Sequence, residues 1–99
     1  MSIIERNIET ILALCEKHRV RRLSVFGSVL TDRFNDESDV DFVVDFALMD
    51  IADYADNYLD MQMSLSQLLG RRVDLMEDKA IRNPILCQNI DRTKQVIYG

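Results

Sequence analysis

The sequence predicts an α/β or α+β domain with a small sheet and helices packed mainly on one side of it. Apolar residues recur at helical spacing from Ile4 to Cys15 and again over residues 51–69. Short apolar segments of strand character stand between and after these helical segments, at 23–26, 39–46 and 73–76. A composition of 47% apolar and 29% charged residues is typical of a compact globular chain. We therefore expect one domain over residues 1–99.

The predicted elements follow one another without a linker or an internal repeat. The first helix starts near residue 3 and ends near His18, where the positive charges of Arg19 to Arg22 suit a helix C terminus. A short strand over Leu23–Phe26 ends abruptly at Gly27-Ser28, where a short helix begins. The later elements are a strand over 39–46, a long helix over 51–69 that stops at Gly70, a strand over 73–76, a short helix after Asn83-Pro84 and an edge strand over 95–98.

Charge and cysteine content exclude several classes of function. The net charge of -5 opposes non-specific binding to nucleic-acid phosphates. The apolar runs are only a few residues long, so we expect no membrane span and no secretory signal. Cys15 and Cys87 are isolated in the sequence, and we expect both to be reduced and buried in a cytoplasmic protein.

Three aspartates form the candidate metal site. Strand alternation places Asp39 and Asp41 on one face of the 39–46 strand, roughly 6–7 Å apart along the chain. Asp74 would join them from another strand, and such a cluster repels itself unless a cation compensates the charge. Carboxylate oxygens are the ligands that Mg²⁺ and Mn²⁺ prefer. The alternative is a solvated acidic edge of the sheet without a ligand.

Gly27 and Ser28 form a candidate phosphate-binding turn. Glycine lets the backbone approach a phosphate closely, and the turn offers N–H groups and a hydroxyl at the start of a short helix. An ordinary tight turn is the alternative interpretation, and the ten-residue spacing to the aspartate pair favours the phosphate site.

Weaker features remain outside this site. His18, the only histidine, is expected to interact with a helix C terminus rather than to act as a base. The acidic residues along the long helix, together with Asp50, are expected to form a solvated stripe, with a surface for a basic partner as the alternative. The methionines and tyrosines of this region are expected in the core or in a subunit contact.

The Gly27-Ser28 turn, ten further residues and then Asp39-Val40-Asp41 resemble the Gly-Ser-x₁₀-Asp-x-Asp signature of the DNA polymerase beta nucleotidyltransferase superfamily. The chain length, and Asp74 within residues 71–75, resemble its minimal nucleotidyltransferases. The resemblance implies a polymerase-beta-type fold with a small mixed sheet.

The resemblance also implies roles for individual residues. Asp39 and Asp41 would hold two Mg²⁺ ions, with Mn²⁺ as a substitute, on ATP as the nucleotide donor. Asp74 would bind the catalytic metal and help to deprotonate the attacking hydroxyl. Gly27 and Ser28 would grip the β- and γ-phosphates.

The segment after Ser28 departs from the family pattern. Many minimal members carry an Arg-rich, Gly-containing turn here, whereas this chain has Val29 to Arg33. Arg33 is then the candidate basic ligand of the triphosphate, with an exposed surface arginine as the alternative.

The implied activity is transfer of AMP, or another NMP, to a hydroxyl. A chain of 99 residues leaves no room for an acceptor-binding domain, so the acceptor side is expected from a second copy or another protein. The resemblance implies a HEPN-type RNase toxin as partner, with this chain as its antitoxin and a toxin tyrosine as acceptor. The alternatives are a non-catalytic antitoxin that acts by occlusion and, more distantly, a small-molecule nucleotidyltransferase of the aminoglycoside type.

Overall fold

The computed structural model describes residues 2–99, and its helices and strands follow the predicted order. The helices are α1 Ser2–Arg6, α2 Ile8–Lys17, α3 Ile51–Leu69 and α4 Pro84–Thr93. The strands are β1 Val20–Phe26, β2 Val40–Phe46, β3 Val73–Glu77 and β4 Gln95–Tyr98. Two short 3-10 helices cover Gly27–Leu30 and Asp78–Ala80.

The four strands form one mixed sheet, as expected, and their order in the sheet is β3-β2-β1-β4. Strand β1 pairs antiparallel with both β2 and β4, whereas β2 and β3 are parallel. A parallel pair needs a crossover connection, and α3 supplies it. Val40 pairs with Val73, so β2 and β3 begin at the same edge of the sheet.

The core lies between helices α1, α2 and α3 and one face of the sheet. In β2 the alternation places Val40, Phe42, Val44 and Phe46 on the buried face, as predicted. Ile11 and Cys15 of α2 and Met61 and Leu65 of α3 belong to the same buried cluster.

The second face of the sheet is less open than the alternation suggests. Ser24 and Val43 lie on this face, yet both are buried. A small cavity beside them is lined by Arg22, Ser24, Val43, Asp45, Asp78 and Lys94. Segments on either side of α4 therefore approach the middle of this face, and the aspartate-bearing face is not wholly exposed.

The predicted first helix is in fact two helices. Asn7 interrupts it, because its side-chain amide donates to the Ile3 carbonyl at 2.8 Å while its own N–H donates to the Ile4 carbonyl at 3.1 Å. Side-chain bonds of this kind compete with the helical pattern, and α2 starts anew at Ile8.

Strand β1 begins earlier than predicted, at Val20 rather than Leu23. Val20 pairs with Phe46, and the Arg21 guanidinium donates two hydrogen bonds to Asp45 of β2, at 3.0 and 3.1 Å. Arg21 belongs to the basic segment that was predicted to suit a helix C terminus, and it instead supports the pairing of β1 with β2.

The predicted ends of α3 and α4 are confirmed. Gly70 ends α3 in the left-handed conformation, with φ +66°. The Asn83 side chain caps α4 by accepting from the N–H groups of Ile85 and Leu86, at 2.9 and 3.3 Å.

Predicted burial is wrong at Leu59 and Cys87. Leu59 of α3 is 54% exposed, so the buried stripe of this helix is narrower than its apolar pattern. Met63 is 60% exposed and lies outside the core, and the alternative of a subunit contact stays a prediction. Cys87 is only half-buried, whereas Cys15 is buried, which raises the pKa of its thiol to about 12. Across residues 2–99, no helix combines the length and apolar character that crossing a membrane requires.

A buried histidine joins the end of α2 to α3. His18 Nδ1 donates to the Leu14 carbonyl at 2.7 Å, as expected for a residue at a helix C terminus. Its Nε2 lies 2.5 Å from Asp60 Oδ2, and the Asn57 amide donates to the His18 carbonyl at 2.7 Å. Asp60 is therefore a partner of this histidine and not only part of a solvated stripe.

We predict that Asp60→Asn lowers the free energy of unfolding near neutral pH and that this loss disappears in acid. The hydrogen bond from His18 lowers the pKa of Asp60, and the charge of Lys17 acts in the same direction. Such a carboxylate adds stability that is present above its unfolded pKa of about 3.9 and is lost as the pH falls through the lower folded value. Urea unfolding at a series of pH values measures the difference. Asp56→Asn on the same helix is the control, and a difference that does not change with pH contradicts the prediction.

Candidate active site

Three carboxylates meet where β2 and β3 begin. Asp41 and Asp74 are register partners in the parallel pair, and Asp39 directly precedes β2. Paired strands are about 4.8 Å apart, so the backbones of Asp41 and Asp74 are direct neighbours. The structure thus brings together the three aspartates that the sequence pattern selected.

The carboxylates interact electrostatically. Partial burial is the largest cause of a raised pKa for Asp41, followed by the negative charges of Asp74 and then Asp39. A divalent cation would relieve this repulsion, and carboxylates are its preferred protein ligands. Within residues 2–99, no group of three or more Asp, Glu, His or Cys side chains is arranged to hold a metal ion as the side chains stand.

Gly27 turns the chain beside Asp41, which is the register partner of Phe26 at the end of β1. Its φ is +80°, and a Cβ at this position would lie 2.6 Å from Asp41 Oδ2. Both the backbone conformation and the nearby carboxylate therefore favour glycine at this position.

Ser28 connects the turn to the first aspartate. Its Oγ donates to the Asp39 carbonyl at 3.5 Å, and its own carbonyl accepts from the N–H and the hydroxyl of Thr31, both at 2.9 Å. The turn and the aspartate pair therefore lie side by side, and their role as one site stays a prediction.

Arg33 lies in the exposed loop that precedes Asp39. Its backbone N–H donates to Thr31 Oγ1 at 3.2 Å, and its side chain is exposed. Within residues 2–99 no ion pair joins its guanidinium to the three aspartates. The structure leaves this arginine outside the carboxylate cluster, and its role as a phosphate ligand stays a prediction.

Two arginines of the site were missed. Arg72 Nε lies 3.9 Å from Asp39 Oδ2, and its side chain is 81% exposed. Arg71 donates to the carbonyls of Asn35 and Ser38, at 2.8 and 2.9 Å, and so holds the loop that leads to Asp39. Their position directly before β3 could have indicated them, because two parallel strands that start in register bring the residues before each strand to the same edge of the sheet.

The Arg71 guanidinium also stacks over the Phe34 ring, with 4.5 Å between its carbon and the ring centroid. Nothing in the local sequence around Phe34 indicates this contact, because the two residues are far apart along the chain. It orders the middle of the loop between the Gly27 turn and Asp39.

We predict that Gly27→Ala destabilises the protein more than Gly70→Ala does. Both glycines have positive φ, which costs an alanine about 1–2 kcal/mol. At Gly70 nothing lies within 4 Å of an added Cβ, whereas at Gly27 the Asp41 carboxylate would have to move. Chemical unfolding of both variants separates the clash from the shared backbone strain. Equal losses of stability would contradict the prediction.

We also predict that Asp41→Asn stabilises the metal-free protein at pH 7. A carboxyl whose pKa is raised by folding costs stability above the folded pKa, and the cost vanishes below the unfolded pKa of about 3.9. Unfolding with a chelator present should show a gain at pH 7 that fades on acidification. Asp36→Asn in the exposed loop is the control, and an Asp41→Asn variant that is less stable than wild type at pH 7 contradicts the prediction.

Known proteins are similar to this chain in fold and in sequence. A solved structure provisionally described as a minimal nucleotidyltransferase has a TM-score of 0.77 and 28% identity, covering 93% of this chain and 90% of that one. The complex of a tri-AMPylated Shewanella oneidensis HEPN toxin with MNT antitoxin matches with a TM-score of 0.67 over 96% of this chain and 71% of that one. Its identity of 20% supports likeness of fold alone.

The sequence relationships are more specific. The chain is 35% identical over 83 residues to protein adenylyltransferase MntA of Thermococcus cleftensis, which covers 79% of this chain and 81% of that relative. The Polymerase beta, Nucleotidyltransferase family model matches residues 9–99, a range that contains the glycine turn and all three aspartates. On these matches and this site, the chain belongs to the polymerase beta nucleotidyltransferase family.

Proposed function

We propose that this chain transfers an adenylyl group from ATP to a tyrosine hydroxyl of a HEPN-type toxin and thereby acts as its antitoxin. The observation that carries the proposal is the convergence of Asp39, Asp41 and Asp74 beside a turn whose backbone conformation strongly favours glycine. The Thermococcus cleftensis relative bears the name protein adenylyltransferase, and the Shewanella oneidensis complex contains an AMPylated HEPN toxin. Both relationships support the choice of a protein acceptor.

The residues have distinct tasks in this reaction. Asp39, Asp41 and Asp74 would hold two Mg²⁺ ions, or Mn²⁺ in their place, and the ions would neutralise charge on the attacking and leaving oxygens. Gly27 would let its backbone approach the β- and γ-phosphates, and the Ser28 hydroxyl would donate a hydrogen bond to them. Mg²⁺ is commonly bound by one or two carboxylates together with water and substrate phosphates, so phosphate oxygens of ATP would complete its ligands.

The bond changes follow from these positions. The acceptor hydroxyl oxygen forms a bond to the α-phosphorus, and the bond from that phosphorus to the pyrophosphate oxygen breaks. The Asp74 carboxylate, which is exposed and stands beside Asp41, would accept the hydroxyl proton, directly or through water. Pyrophosphate leaves, and the acceptor carries AMP.

A second candidate function is neutralisation of the toxin by occlusion without catalysis. Val29, directly after Ser28, is buried, and Leu30 is half-buried, so these two residues offer no positive charge where the family pattern has an Arg-rich turn. A weaker grip on the triphosphate would follow. The exposed Arg72 beside Asp39 is the cation that would compensate under the catalytic proposal.

We predict that a HEPN-type partner gains the mass of at least one adenylyl group when incubated with this protein, ATP and Mg²⁺. Asp39→Asn with Asp41→Asn should abolish the gain, because the site then lacks two of its three carboxylates. Asp45→Asn is the matched control, since Asp45 lies on the same strand but pairs with Arg21. Intact mass spectrometry provides the measurement.

The outcomes separate the two candidates. Added AMP with the wild type and with Asp45→Asn, but not with the double variant, supports the transferase. A stable complex in which the partner keeps its mass and loses its RNase activity supports occlusion instead. A partner that keeps both its mass and its activity overturns the antitoxin role.

A further inference from the structure

Helix α3 donates three side-chain hydrogen bonds along the outer edge of β3, and we call this set the α3–β3 ladder. Its bonds run from the Tyr54 hydroxyl to the Glu77 carboxylate, from the Tyr58 hydroxyl to the Leu75 carbonyl, and from Gln62 Nε2 to the Val73 carbonyl at 3.2 Å. Four helical residues rise about 6.0 Å and two strand residues about 6.6 Å. The spacing of donors on the helix thus matches the spacing of acceptors on the strand.

Asp74 lies between the two backbone carbonyls that the ladder holds. The Arg72 carbonyl accepts from the Val40 N–H of β2 at 3.1 Å, so even-numbered peptide groups of β3 face β2. The carbonyls of Val73 and Leu75 consequently face away from the sheet. Since β3 is an edge strand, no neighbouring strand supplies donors on that side.

We propose that Tyr58 and Gln62 are positioning residues that hold Asp74 opposite Asp41. The proposal rests on the proposed function, because it assigns these residues to the metal site of the transfer reaction. Asp74 is exposed, and its place is set by its backbone rather than by packing of its side chain. A carbonyl without a donor on an edge strand would favour local opening of β3, and the distance between the two carboxylates would then vary.

The surroundings of Tyr58 agree with this role. Burial is the largest cause of its raised pKa, and the charges of Glu77 and Asp74 contribute. Its ring packs edge-on against Phe46, with 6.5 Å between the centroids, so removing the hydroxyl leaves the ring contact in place. Tyr58→Phe therefore tests the hydrogen bond and not the packing of the helix.

Tyr54 provides the matched control. It lies on the same helix, packs against the same Phe46 ring with 5.5 Å between centroids, and also loses one hydroxyl on substitution by Phe. Its acceptor, however, is the Glu77 side chain and not a carbonyl next to Asp74. Tyr54→Phe should leave the metal site unchanged.

The test compares Tyr58→Phe, Gln62→Met and their combination with Tyr54→Phe. Amide hydrogen exchange at Asp74 reports on the strand without requiring any activity. Titration of Mn²⁺ in the presence of a non-hydrolysable ATP analogue reports on the carboxylates. For Tyr58→Phe we expect exchange to be faster and Mn²⁺ affinity weaker by about 5- to 10-fold each, the scale of one lost hydrogen bond. Gln62→Met should act in the same direction, and Tyr54→Phe should stay within about twofold of wild type.

Catalytic measurements add a readout that loss of stability would not produce. At temperatures where all variants are folded, Tyr58→Phe should lower kcat and raise the Mg²⁺ concentration for half-maximal rate, with the KM for ATP unchanged. Elevated Mg²⁺ should recover much of the lost rate, because the carboxylates are displaced and not removed.

Two results overturn the proposal. The first is an exchange rate at Asp74 in the double variant that equals the wild-type rate. The second is faster exchange with unchanged Mn²⁺ affinity, which would mean that the ladder has only a structural role. If the wild-type protein transfers no adenylyl group while the variants still weaken Mn²⁺ binding as expected, the proposed function fails and the positioning role stands.

Discussion

The parallel pairing of β2 with β3 is the constraint on which the rest of this structure depends. Its register sets Asp41 beside Asp74 and brings the residues before each strand, Asp39 and Arg72, to the same edge. Parallel strands cannot be joined by a short hairpin, so the chain must cross over, and the 19 residues of α3 do this. The helix in turn covers the outer edge of β3 and packs its apolar side on the core. One pairing therefore creates the acidic site, the long helix and the layer between them.

The carboxylates of the acidic site destabilise the fold that brings them together. Asp41 is partly buried and faces two like charges, which is unfavourable without a cation. The Gly27 backbone also lies close to Asp41, so a Cβ at this position would contact the Asp41 carboxylate. The stabilising contributions come from elsewhere, from the buried faces of β1 and β2 and from the His18–Asp60 contact between helices. The aspartate cluster therefore lowers stability while the buried core supplies it, a separation that is expected where a functional site departs from the packing rules of the rest of a protein.

Secondary structure was predictable where one physical signal was strong. The alternation in β2 and the glycine that ends α3 each reflect local geometry, and both predictions are confirmed. The prediction was wrong at Asn7, where a side-chain amide bonds to the backbone, and at Val20, whose strand conformation depends on a partner strand. The burial expected for Leu59 was also wrong, because helical spacing identifies the apolar side of a helix but not how much of that side packs against the core. Each error occurs where a contact distant in sequence, or a competing local bond, outweighs periodicity.

The sequence by itself determined the glycine turn and the pair Asp39 and Asp41, because these depend on residue type and on short spacings along the chain, and the family resemblance that they carry added Asp74. Only the tertiary structure decided that Asp74 stands directly beside Asp41, that Arg72 lies next to Asp39, and that the carbonyls around Asp74 are held by Tyr58 and Gln62. The reason is that strand register and helix placement arise from packing over the whole core. Local sequence patterns identify the residue types at the site, whereas the packing of the whole fold sets the distances between them.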